Sequence, residues 1–141
     1  MGKAATQGPN TSVVNEVYGT FAIGLGMGPC FAVGKIWAAE QLIYNLMTDA
    51  KAHIDADGVL HGFGKIVGVD FSFEMYPGTP TQPICHRMEI DLGEANTPRF
   101  PGLCYIVFKD FPLMSFGNTL QATMFKIEVL KLPSSHTPTG E

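Results

Sequence analysis

The chain has 141 residues, of which 45% are hydrophobic and 16% charged, with a net charge of −4. This length makes one domain with a core that needs no staples. Its basic residues are scattered from Lys3 to Lys131, which excludes a phosphate-binding stripe and argues against sequence-specific nucleic-acid recognition.

So low a charged fraction leaves two readings: part of the surface is hidden in an assembly, or a tight β domain carries a polar, uncharged surface. Cys30, Cys85 and Cys104 form an odd set with no CxxC spacing. They read as core thiols in a chain folded in a reducing cytoplasm, and not as a disulfide framework or zinc knuckle. No apolar run is long enough for an integral membrane segment. The N-terminus lacks the basic-then-apolar pattern of a signal.

In chain order, residues 1–12 are small and polar with a Gly-Pro break, and read as an extended arm. Residues 13–132 form one β-rich domain, and residues 133–141 a C-terminal tail. Residues 17–25 mix β-branched and aromatic side chains as a strand does. Gly26, Gly28 and Pro29 then turn the chain. Residues 33–38 form a second strand, with Val33, Lys35 and Trp37 expected on one face and Gly34, Ile36 and Ala38 on the other. A turn at Glu40-Gln41 leads into Leu42, Ile43 and Tyr44.

Residues 46–65 fit a short helix or a hairpin excursion equally well. Val67, Val69, Phe71, Phe73 and Met75 then alternate with more polar partners, which predicts a strand with one buried face. Tyr76, Pro77 and Gly78 end it. Ile84, Met88 and Leu92 recur every four residues between Pro83 and Gly93, predicting a short amphipathic helix with proline in its first turn and glycine at its end. Residues 103–108 read as a strand buried on both faces. Residues 124–132 form the last strand, with Phe125, Ile127 and Val129 facing one way. These elements define an α+β, mainly β fold class, a β-sandwich or barrel-like module with one or two short helices.

Chemical motifs are sparse. Gly24, Gly26 and Gly28 mimic the start of a dinucleotide fingerprint, but Pro29 occupies the third glycine position and a β pattern follows. His53, His61, His86 and His136 lie apart, and Cys85 beside His86 points elsewhere on a helix, so no metal site is expected. Asp55 with Asp57, and Glu89 with Asp91, are paired carboxylates without the cleft that acid–base chemistry needs. The Asp55-x-Asp57-Gly58 run lacks the other ligands of a calcium loop. No GxSxG nucleophile motif occurs. No catalytic residue and no cofactor is expected. Trp37, the sole tryptophan, reads as a core anchor or as an interface hot spot.

Four segments carry a resemblance. They are the run from Phe21 through Gly28-Pro29 to Ile36-Trp37-Ala38; Tyr76-Pro77-Gly78-Thr79 with Gln82-Pro83; Pro101-Gly102 with Tyr105-Ile106-Val107-Phe108 and Asp110; and Pro112-Leu113 with Phe116-Gly117-Asn118. In this order they resemble the central tail-tip (hub), host-specificity proteins of long-tailed bacteriophages and gene-transfer agents, including the lambda type. Those proteins are much longer, and the resemblance covers one hub module.

The resemblance implies a structural virion protein of the tail tip or baseplate, made in the host cytoplasm. It implies a homotrimeric ring below the tail tube that takes part in tail closure, host attachment and DNA passage through its lumen. Its partners would be other tail-tip hub chains, the distal tail protein and the tape-measure protein. Trp37, Tyr76, Gly78, Gly102, Phe116, Gly117 and Asn118 are the candidate assembly and structural residues. The Phe116-Gly117-Asn118 corner is expected to join two buried strands and set their pairing register. Two other readings remain: a small β-scaffold binding module unrelated to phages, and a tail-associated cell-wall or capsule hydrolase.

Overall fold

Among the described residues, eight strands and one helix follow each other: β1 (Tyr18–Met27), β2 (Ala32–Ala38), β3 (Gln41–Asn45), β4 (His53–Ile54), β5 (Leu60–Ile66), β6 (Val69–Pro77), α1 (His86–Leu92), β7 (Leu103–Pro112) and β8 (Phe125–Leu130). The computed structural model describes residues 18–93, 95, 97–117, 121 and 124–131. The arm, the tail and Asn118 lie outside the described residues. All strand pairs are antiparallel. They form a five-stranded sheet, β1-β7-β6-β5-β4, and a three-stranded sheet, β3-β2-β8. The fold is therefore mainly β, as the alternation predicts, and the sandwich does not close into a barrel. At one side the rings of Phe21 and Phe125 lie 5.8 Å apart, bringing β1 of one sheet beside β8 of the other.

The core lies between the sheets and is aromatic. Phe108 sits at its centre, with Phe21, Phe125 and Phe111 centroids at 5.2, 5.3 and 5.4 Å. Phe71, Phe73 and Met75 enter from β6 on the same face, as their period of two requires. Their neighbour β5 carries Gly62 opposite Phe73 and Gly64 opposite Phe71. A side chain at Gly62 would collide with the Phe73 ring, and one at Gly64 would meet Phe71. The two phenyl groups thus lie across glycines that have nothing else to pack.

The other face of the large sheet is also covered. Val59, Tyr76, Cys85, Tyr105 and Val107 form a second buried cluster, with Met88 of α1 and Phe100 packed on it. This cover explains why β6 is buried on both faces from Phe73 to Pro77, where alternation alone predicts one. It also accounts for the doubly buried stretch of β7.

Of the two readings of residues 46–65 the hairpin is the one observed: a 3-10 turn leads into β4, which pairs with β5, and β5 turns into β6 at Val67 and Gly68, both at positive φ. Several expectations need correction. The β2–β3 turn falls at Ala39 and Glu40, one residue early. Between Val33 and Ile36 the β2–β8 register shifts. The extra residue turns Val33 inward beside Ile36 and leaves Trp37 half-buried, outside the core. The helix starts at His86, beyond Pro83, and leaves Leu92 exposed, although Gly93 does end it at φ 82°. Asp110, at φ 54°, bulges β7 without ending it. The corner after β7 sets no register between β7 and β8, because those strands belong to different sheets. Gly117 there takes φ 68°, and Phe116 stacks on Phe111 at 5.7 Å.

Candidate functional site

Three turns meet at one end of the large sheet: Gly28-Pro29 after β1, Pro77-Gly78-Thr79 after β6, and Pro101-Gly102 before β7. The Gly28 N–H donates to the Gly102 carbonyl at 2.9 Å, the Gly102 N–H to Thr79 at 3.1 Å, and the Cys30 N–H to Pro77 at 2.7 Å. The approach requires glycine. A Cβ on Gly28 would stand 2.5 Å from the Pro77 carbonyl oxygen, and one on Gly78, itself at φ 77°, would stand 2.9 Å from the Cys104 nitrogen. Both distances lie inside van der Waals contact.

Gln82 ties this junction together. Its side chain is 1% exposed, which a lone amide would not tolerate. Its Oε1 accepts from the Gly78 N–H at 2.8 Å, and its Nε2 donates to the carbonyls of Phe100, Leu103 and Arg99 at 2.7, 3.0 and 3.1 Å. Two amide hydrogens serve three carbonyls, so one is shared. Beside it Cys30 and Cys104 form a disulfide across 74 residues of sequence. This corrects the reading of three free thiols: only Cys85 is free, and it is buried. Residue spacing cannot reveal a pair that the β1 and β7 ladder brings together.

A polar network adjoins the junction on the outer face of the large sheet. Glu74, 8% exposed, accepts from the Tyr76 hydroxyl at 2.9 Å and from the Lys109 Nζ at 2.9 Å. His61 Nε2 meets Asp55 Oδ2 at 2.8 Å, and its Nδ1 lies 3.7 Å from Glu74. The ionised Asp55 only accepts, so Nε2 carries the shared proton. Burial raises the Asp55 pKa, but the hydrogen bonds from His61 and the Val59 and Asp57 N–H groups outweigh it and hold the carboxyl below its ordinary value. Tyr76 stacks on its cross-strand partner Tyr105 at 4.6 Å. Burial, with Cys85 and Glu74 nearby, pushes both phenols well above their ordinary pKa. The Tyr105 hydroxyl is buried without a hydrogen-bond partner among the described residues.

The network neutralises itself. Its carboxylates are engaged by His61, Lys109 and Tyr76. Hollows lie elsewhere. One of about 420 Å³ is lined by residues including Tyr44, Asp49, Phe63 and Lys65, and another of about 320 Å³ by Trp37, Glu40, Met124, Phe125 and Lys126. Asp49 is occupied by the Tyr44 hydroxyl and the Phe63 and Lys51 N–H groups. Among the described residues no group of three or more His, Cys, Asp or Glu is placed to hold a metal ion.

Of the residues singled out from the sequence, Tyr76, Gly78 and Gly102 come together here. Trp37 stands on the small sheet, with the Lys126 Nζ 5.3 Å above its ring, and Phe116 and Gly117 lie at the corner after β7. The sequence reading quoted Gln82 only within a motif, and it missed the Cys30–Cys104 bond and the Asp55–His61–Glu74–Lys109 network. The burial of Gln82 between two turn motifs had a signal, the Gly78-to-Gln82 spacing of four that a returning side chain can span.

The fold and the junction define a two-sheet β module clamped at one end by a buried glutamine and a disulfide. Comparison of the chain with protein-family models, curated proteins and solved structures finds no match.

Proposed function

We propose that this chain is a structural module of the tail-tip hub of a long-tailed phage or related particle, with no catalytic role of its own. One observation carries the reading. Three segments that resemble the hub family as separate stretches of sequence, around Gly28-Pro29, Tyr76 to Gln82 and Pro101-Gly102, join in space through backbone contacts and one glutamine. A resemblance that traced only isolated turns would have no reason to select residues that touch.

Other features support the reading. Large apolar side chains stand in solvent, among them Met47 at 88% and Val67 at 80% exposure, as expected of surface that an assembly covers. A disulfide suits a particle that works outside the cell. The module sits in a threefold ring under the tail tube, against other hub chains, the distal tail protein and the tape-measure protein, and DNA passes through the lumen. Closed cyclic symmetry satisfies such surfaces without forming filaments. The test is genetic. Particles made without this chain should have unfinished, non-infectious tails. Normal infectious particles made in its absence would refute the reading.

A further inference from the structure

The sandwich has edges of unequal character. Among the described residues β4 is two residues long and β3 five, and β8 carries Lys126, Glu128 and, just beyond it, Lys131. Short or charged edges resist pairing with another chain. β1 differs. It has ten residues, YGTFAIGLGM, with no charge and no proline, and among the described residues it is hydrogen-bonded to β7 alone. Its outward side chains are small or polar for most of its length, including Thr20, Ala22, Gly24 and Gly26. Register shifts bend it between Gly19 and Phe21 and between Gly24 and Gly26, but residues 21–24 run in continuous register with β7. Along that stretch the outward N–H and C=O groups have no strand partner among the described residues.

The sequence before β1 supplies a strand of suitable length. Residues 11–17, TSVVNEV, are rich in the β-branched residues that favour strands. With residues 1–10 ahead of them, the segment before Tyr18 reaches roughly 55 Å when extended, well beyond the ~33 Å of a ten-residue strand. With residues 11–17 paired along their full length, no residue is left between Val17 and Tyr18 to turn the chain back onto its own β1 edge.

We infer that residues 11–17 of one copy pair with the open edge of β1 of the next copy, by strand addition. The contact is head-to-tail, with the donor segment on one side and the acceptor edge on the other, so it closes into a ring when the rotation allows. This deepens the hub reading and rests on it for the ring.

The test uses the full chain, with native mass measurement and hydrogen exchange on the same samples. The wild type should form multimers in which the β1 amides pointing away from β7 are protected. Val14→Pro removes a donor from the arm and should abolish both the multimers and that protection, while the β6–β7 amides stay protected. Val14→Thr, which keeps the N–H and the β preference, should retain both. Multimers that persist in Val14→Pro, or that leave those β1 amides unprotected, overturn strand addition and leave the ring standing. A two-copy complex with protected β1 edges supports strand addition and overturns the threefold ring. A wild type that stays monomeric, with those amides exchanging freely, overturns both.

Discussion

Gln82 holds Gly78 against the start of β7: its Oε1 accepts the Gly78 N–H at 2.8 Å while its Nε2 donates to the Phe100 carbonyl at 2.7 Å. One side chain thereby fixes the turn after β6 to the turn before β7. Gln82→Leu keeps the volume and orphans several buried backbone groups, each worth about 1–3 kcal/mol. We expect it to cost about 2–4 kcal/mol in a denaturant titration. Lys65→Gln, which breaks only the exposed pair with Asp70, should cause no measurable change. Equal stability of Gln82→Leu and the parent would show that the clamp is dispensable.

Glycines at the junction should differ sharply from glycines elsewhere. A Cβ at Gly28 meets backbone on the facing turn, which cannot step aside, whereas a Cβ at Gly24 meets nothing within 4 Å. Gly28→Ala should therefore fail to give soluble protein or unfold at much lower denaturant. Gly24→Ala should stay close to the parent, because an added methyl in open space at an ordinary φ is tolerated. Soluble yield and denaturation midpoints of the two variants decide the point.

The disulfide and the remaining thiol give separate readouts. A disulfide contributes typically about 2–4 kcal/mol, so mild reduction should lower stability by that amount and leave the sandwich folded. Cys85, the residue at the N-terminal cap of α1, is fully buried. A thiol reagent should find no reactive cysteine in the native oxidised chain and one in denaturant. Rapid native labelling would mean that α1 opens readily.

The buried tyrosines predict an alkaline limit. Burial raises the pKa of Tyr44, Tyr76 and Tyr105 above the ordinary tyrosine value of 10.0. A group raised on folding contributes stability that is fully present below its unfolded pKa and is lost as pH rises from there towards the folded pKa. Stability should therefore fall above roughly pH 10. Absorbance of these tyrosinates should rise together with loss of the β circular-dichroism signal. Full ionisation of all four tyrosines in a chain that keeps its β signal would contradict this.

The large sheet was legible where side chains alternate. Phe71, Phe73 and Met75 located β6, and the unbroken apolar run of β7 announced burial on both faces. β5 was not legible, because Gly62 and Gly64 stand where an apolar face should show, their space being filled by the phenyl rings opposite. The facing of Val33 was lost to a bulge, since one extra residue before Ile36 turns it to the Ile36 side. The turns of the junction were readable as glycine and proline, but their meeting was not. Nor was the polar network, whose members come from the β4–β5 loop and from strands β5, β6 and β7 and join only when the ladder sets their register.

The most direct test of the account is a map of the intact tailed particle with this chain located in it. The account predicts three copies ringing the tail tip below the tube, with the chain's sandwich recognisable in each. Six copies, a position dispersed along the tube, or absence from the particle would contradict it.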